Sequence, residues 1–251
     1  MNANHGLKIA MLGAFCTLMM VAQADTPAPA NTDLEEIVVT ARLRSESLQQ
    51  VPMAVTAFSA KALQDAGVRD YGDFVALTPN VSLAEAESVG QSFLTIRGLT
   101  EVRNGQAPVA FVVDGVQESS NRQFTQTLFD LESIQVLMGP QGALYGRNAS
   151  GGAIVITTKQ PTNDFQGYAQ VGGGSAAYAD AQAVLSGPII KDELLFRVAG
   201  SFSNLTGYFN NVYLNKTADP YGDTTVRGLL KWTPSENLTA DLRLNYSHTN
   251  G

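Results

Sequence analysis

The sequence predicts an exported α+β domain followed by antiparallel transmembrane β-strands, the opening part of a β-barrel. Three observations carry this reading. The N-terminus has the build of an export signal, residues 51–158 mix strand-like runs with capped helical segments, and the chain beyond Phe165 alternates strictly between apolar and polar residues.

The export signal consists of Lys8, an apolar run over residues 9–21, and Ala22-Gln23-Ala24, which has the small-x-small form of a signal peptidase site. The run is shorter than the roughly 20 residues that span a bilayer as a helix. Residues 1–24 therefore read as a cleaved signal rather than an anchor. Cys16, the single cysteine of the 251 residues, would leave with it, so disulfides, cysteine nucleophiles and Cys-containing metal sites are not expected. His5 leaves too, and His248, beside Ser247, Thr249 and Asn250, reads as a solvated loop residue.

An apolar fraction of 44% is enough to bury a core. The net charge of -7, with lysines and arginines scattered along the chain, argues against nucleic acid, whose phosphates need a basic patch. Residues 25–33, rich in Pro, Ala, Asn and Thr, read as a flexible tether, and the tether as a whole is taken over 25–50. Within it stands the β-branched segment 35–41, a short strand with no obvious neighbour. It fits equally an ordinary first strand of the domain that follows.

That domain is expected over residues 51–160, a common domain size at about a hundred residues. Residues 51–58 are strand-like; Ser59 can cap a helix that ends at Gly67, and Asp70 can cap a second over 71–77, stopped by Pro79. Further strands are predicted over 92–97, 109–113, 133–137 and 152–158. Asp114-Gly115 has the form of a tight hairpin turn.

From 165 to 251 about five strands are predicted, over 165–174, 178–188, 194–204, 224–234 and 238–249. In the last, Leu238, Ala240, Leu242, Leu244 and Tyr246 oppose Thr239, Asp241, Arg243 and Asn245. A soluble β-sandwich alternates as well. Three features favour a membrane barrel: aromatics at segment ends (Phe202, Trp232, Tyr246), charges on one parity (Arg197, Arg227, Lys231, Arg243), and export. Bacterial single-chain barrels have even strand numbers from roughly eight upward, so five strands cannot close, and the chain is expected to be a fragment.

Several strings resemble the TonB-dependent outer-membrane receptors. Glu36-Ile37-Val38-Val39-Thr40-Ala41 resembles the TonB box. Thr95-Ile96-Arg97-Gly98, Val112-Val113-Asp114-Gly115-Val116 and Gly139-Pro140-Gln141-Gly142-Ala143-Leu144-Tyr145-Gly146-Arg147-Asn148 resemble motifs of the family's plug domain, and Ser150-Gly151-Gly152-Ala153-Ile154 the strand that closes it. Gln135 and Met138 stand where family members often carry Glu and Arg, so a salt bridge at that place is not expected here.

The resemblance implies a plug domain inside a barrel of about 22 strands. It implies energy-coupled import, with a TonB-like energy transducer pairing with the TonB box in the periplasm and force moving the plug aside or partly unfolding it. The extended Ile37-Val38-Val39 segment is suited to adding a strand to a partner's sheet. A structural latch between plug and wall is assigned to Arg97, Gly98, Asp114, Gly115, Glu132, Gly139, Pro140, Gly142, Tyr145, Gly146 and Arg147, with carboxylates holding the arginines. Glu101, Arg103, Asn104 and Gln106, with residues 90–91, are candidate plug-apex positions for ligand. The other implied partners are outer-membrane lipid and a small-molecule or metal-chelate ligand. Ferric siderophores are the commonest family substrates, with vitamin B12, haem, nickel chelates and oligosaccharides as others. No cofactor or resident metal is expected.

Competing classes are weak. No Gly-Lys-Ser/Thr follows Gly139, Gly142 and Gly146, so the phosphate-binding loop pattern fails, and Gly172-Gly173-Gly174 lacks the spacing of a dinucleotide fingerprint. With His248 the one histidine left, no Ser/His/Asp set is expected and the chain is not read as an enzyme. A passive porin would need no plug and no isolated N-terminal strand, and an adhesin neither a latch nor a tether.

Overall fold

A computed structural model describes residues 38–39, 46–47, 53–85, 92–101, 105–118 and 127–251. The expected signal, most of the tether, Arg103, Asn104 and residues 90–91 lie outside the described residues. The strand expected to stand alone has a neighbour: β1 (Val38–Val39) pairs antiparallel with β2 (Glu46–Ser47).

The plug begins with β3 (Val55–Ser59), running straight into α1 (Ala60–Asp65). Ser59 caps that helix, its hydroxyl accepting the Ala62 N–H at 3.3 Å. The helix ends at Gly67, whose positive φ of 68° lets the Val68 N–H fold back to the Leu63 carbonyl at 3.0 Å. Asp70 caps α2 (Tyr71–Ala76) in a reciprocal box with Asp73. Next comes β4 (Val81–Glu85), a strand not foreseen, which pairs with β5 (Ser92–Ile96), itself paired with β6 (Leu99–Thr100).

A larger sheet is built from β7 (Val109–Val113), β8 (Val116–Gln117), β9 (Leu131–Met138) and, beyond the short α3 (Gly142–Tyr145), β10 (Gly152–Thr158). Its order is β3-β9-β10-β7-β8. β10 is central, parallel to β7 and antiparallel to β9. Buried on both faces, it reads as a nearly unbroken apolar run, Ala153-Ile154-Val155-Ile156. One face packs Ile134, Val136, Ile154 and Ile156 under Leu63, Phe74 and Ile96, and the other is lined by Val112, Leu137, Ala149 and Val155. At the position where a charged pair was not expected, Met138 joins the first cluster and Gln135 is buried.

Two hairpins close on two-residue turns of like geometry. Asp114 and Gly115 (φ 50° and 84°) join β7 to β8, as the sequence predicts; Arg97 and Gly98 (φ 51° and 79°) join β5 to β6. The strand predicted over 92–97 therefore stops at Ile96.

The wall is one antiparallel sheet in chain order: β11 (Gln166–Gly174), β12 (Tyr178–Ile190), β13 (Leu194–Leu205), β16 (Tyr221–Ser235) and β17 (Leu238–Asn250). Between β13 and β16 a small hairpin, β14 (Asn210–Asn211) with β15 (Lys216–Thr217), was not foreseen. His248 lies in β17 rather than in a loop. Among the described residues no helix is long and apolar enough to cross a membrane.

Register explains the alternation. Leu185, Val198, Gly228 and Leu244 stand in one cross-strand row, and Ala183, Gly200, Val226 and Tyr246 in the next alternate one. That face is exposed and apolar, with Val171, Leu185, Val198, Val226, Leu242 and Leu244 all open on it. A contiguous apolar sheet face of this extent suits lipid rather than water. The polar parity faces the plug.

Candidate functional site, the seam between plug and wall

The inward face of the wall is arranged in rows. Asp180, Ser203, Asp223 and Thr249 align across four strands; two rows on, so do Val184, Ala199, Arg227 and Asn245, and in the next Ser186, Arg197, Leu229 and Arg243. Four plug residues just before β9, Thr127 to Asp130, dock on these rows.

Asp130 makes the deepest contact. Nε of Arg197 donates to its Oδ2 at 2.7 Å, and Nη2 donates to Oδ1, a bidentate pair. Arg197 is 7% exposed and Asp130 6%. Asp130 has φ 53°, a conformation that Asp tolerates better than most residues, and its carbonyl accepts the Lys159 N–H at 3.1 Å. Burial of both charges is sustainable because the fork geometry matches guanidinium to carboxylate.

Phe129 supplies the apolar part, packing on Val184 and Ala199. The Arg227 guanidinium stands over its ring at 4.8 Å from the centroid, and Nη1 donates to the Phe129 carbonyl at 3.4 Å. The Thr127 N–H donates to Asp223, whose other oxygen accepts from the Thr249 hydroxyl at 2.9 Å.

Asp114 is the second charged contact. Its turn geometry turns the carboxylate back onto β10, where Oδ1 accepts the Thr158 N–H and Oδ2 the Thr158 hydroxyl, each at 2.8 Å. Arg243 of β17 then reaches Oδ2 at 2.8 Å. Tyr71 lines the same seam, and burial pushes its phenol well above the usual tyrosine range, so it stays protonated.

The other latch residues fall elsewhere. Arg97 and Arg147 are exposed, and among the described residues neither has a carboxylate within salt-bridge distance. Arg97 lies across Gly139, where an added Cβ would stand 3.9 Å from its guanidinium. Arg147 offers its carbonyl to the Gln117 amide at 2.9 Å. Glu132 is exposed, Pro140 and Gly142 are exposed, and Tyr145 is half-buried against the second core cluster, with its phenol pushed up by burial. Gly146 ends α3 with φ 71°. Of the apex positions, Glu101 is half-buried and Gln106 exposed. Among the described residues no group of three or more His, Cys, Asp or Glu side chains could hold a metal ion.

The link from plug to wall is tied as well. The Thr162 N–H donates to the Ser186 hydroxyl at 2.9 Å, and the Asp192 N–H to Asn163 at 2.9 Å. Residues 191–193 and 236–237 make short turns at this end, while the opposite end carries the 175–177 turn and the much longer 206–220 connection with its hairpin. Short turns mark the periplasmic end and longer loops the outer end.

Known proteins match this architecture. A family model for the TonB-dependent receptor plug domain matches residues 47–153. The pesticin receptor of Yersinia pestis is 34% identical over 181 residues, covering 71% of this chain and 26% of that protein. A probable TonB-dependent siderophore receptor, PirA of Acinetobacter baumannii, is 26% identical over 282 residues, covering 96% of this chain and 36% of the relative. The crystal structure of the ferric yersiniabactin uptake receptor FyuA from Yersinia pestis superposes with a TM-score of 0.68 at 26% identity, covering 78% of this chain and 31% of that one. The chain spans about a quarter to a third of the length of these relatives. With a plug domain seated by charged contacts against the polar face of a membrane wall, and with matches through both parts, the chain belongs to the TonB-dependent receptors of the bacterial outer membrane.

Proposed function

We propose that this chain is the front part of a receptor that imports a scarce nutrient, a ferric siderophore before all others, by energised displacement of its plug. The observation that carries the reading is the seam. The described contacts between plug and wall are mostly polar: two charged pairs, Asp130–Arg197 and Asp114–Arg243, arginines over the rings of Phe129 and Tyr178, and a few hydrogen bonds, with the small Phe129, Val184 and Ala199 cluster as the apolar part. Such contacts hold one position firmly, yet water can replace them once the plug shifts. A permanent structural core would be apolar instead.

Substrate class comes from the relatives, which are named for siderophore, ferric yersiniabactin and pesticin recognition. Residues 35–41 are the proposed site for the TonB-like transducer, whose strand would take the place that β2 holds beside Val38–Val39. Glu101, Arg103, Asn104 and Gln106 are proposed at the ligand-facing apex, and the periplasm is the proposed side for the tether. A passive porin is disfavoured because a seated plug blocks free diffusion.

The test is uptake by the full-length receptor on a panel of ferric chelates, vitamin B12, haem and oligosaccharides, with and without residues 35–41. Import of a ferric chelate that stops on deletion, while binding persists, supports the reading. Import unchanged by the deletion overturns it.

A further inference from the structure

Two charges at the seam, one on the plug and one on the wall, form no salt bridge among the described residues, and both face the same cavity. Arg227 of β16 rests on the ring and carbonyl of Phe129, and among the described residues no carboxylate lies within salt-bridge distance of it. Glu118, just after β8, is held through its backbone N–H to the Phe111 carbonyl at 2.8 Å, and its carboxylate has no cation within salt-bridge distance among the described residues. The cavity has a volume of about 220 Å³ and is lined by both, together with Tyr71, Thr127 and Asn245. The other two charges on it, Asp114 and Arg243, pair with each other.

A partly buried guanidinium resting on a ring face and a long hydrogen bond is less compensated than one in a carboxylate fork. The plug carries a matching carboxylate, and the cavity leaves the space to reach it. We infer that Arg227 and Glu118 form a second resting contact of the plug. When the plug is displaced, Arg227 leaves Phe129 and takes Glu118, while Asp130 parts from Arg197. Topology supports this. β8 is the sheet edge opposite β3, the strand nearest the tether, so force applied at the tether reaches Glu118 last and leaves its strand folded beside the wall. The inference rests on the reading of energised displacement.

The experiment is a charge cycle in the full-length receptor: Glu118→Gln, Arg227→Gln, both together, and the exchange E118R/R227E. Binding of a ferric chelate to de-energised cells should be unchanged in all four. Energised uptake should fall roughly two- to tenfold in each single variant, as expected for coupled residues, with the double no lower than the worse single and the exchange restoring uptake to within about twofold. Additive losses, or an exchange that restores nothing, overturn the inference. For any variant that fails to reach the membrane, a second measurement serves. Glu118→Cys with Arg227→Cys, treated with a short bis-maleimide cross-linker, should link more in energised than in de-energised cells, and equal yields overturn the inference. If the parent receptor keeps its uptake without residues 35–41, the import reading itself falls. If the parent needs them and the cycle is additive, only the ion pair falls.

Discussion

At the scale of the residue, Asp130 and Arg197 matter through what each leaves behind. Removing one partner of a buried pair leaves the other charge buried and uncompensated, at a cost of about 3–5 kcal/mol. Asp130→Ala is therefore expected to loosen the seated plug and make the segment around Phe129 sensitive to protease in the membrane-embedded receptor. Asp130→Leu combined with Arg197→Met should recover most of the resistance, because apolar replacement of both partners removes the desolvation cost. A double variant as sensitive as the single would show that the pair itself does not secure the plug. Gly152 offers a steric counterpart. A Cβ there would stand 2.4 Å from the Leu137 carbonyl oxygen, on the neighbouring strand β9, and backbone cannot swing aside as a side chain can. Gly152→Ala should destabilise the plug by about 1–3 kcal/mol, the range for overpacked cores, measured as a lower midpoint of plug unfolding by urea.

At the scale of the element, the β14–β15 hairpin shows how one carboxylate organises a loop. Asp219 accepts the Tyr208 and Phe209 N–H groups, each at 2.9 Å, and holds the hairpin shut while Tyr213 projects at 97% exposure. Those backbone N–H groups lower the Asp219 pKa below the usual carboxylate value. With the folded pKa below the unfolded one, the contribution is complete above the ordinary carboxylate range and is lost as pH falls through the lowered value. Slow amide exchange at Tyr208 and Phe209 should thus persist past roughly pH 4, where free aspartates protonate, and fail only at lower pH. Asp219→Ala should abolish the protection at every pH. Elements differed in how far they could be read from sequence. The wall strands were legible because lipid on one side and plug on the other enforce a period of two. Leu229, apolar on the polar parity, is buried on the plug side in the Arg197 row. The Arg97-Gly98 turn was hidden because arginine is not a residue that announces a positive φ. The docking segment Thr127 to Asp130 was hidden for another reason. Its residues carry no motif, and their importance exists only against strands far downstream, 67 residues away in the case of Asp130 and Arg197. Arg197, Arg227 and Arg243 were seen as charges on one parity, but nothing local said which plug group each would meet.

At the scale of the whole molecule, sheet order decides what the proposed pull at residues 35–41 could remove. β3 is the first plug strand after the tether and the edge of the sheet, paired only with β9, whereas β10 and β7 lie inside. Force entering at β3 therefore acts on one edge ladder before it reaches any interior pair, and the wall contacts at Asp130 and Asp114 sit beyond that ladder, at the start of β9 and the end of β7. Two cross-links distinguish peeling of this edge from wholesale disruption of the sheet. Ala57→Cys with Gln135→Cys joins residues opposite each other on β3 and β9, while Ala110→Cys with Ala153→Cys joins opposite residues on β7 and β10. In the full-length receptor, oxidation of the first pair should stop energised uptake while leaving ligand binding intact, and reduction should restore it. Oxidation of the second pair should leave uptake near the parent level, because the interior of the sheet never opens. Equal inhibition by both cross-links would mean that the sheet must come apart through its centre, and the edge would then be no more than where the force enters.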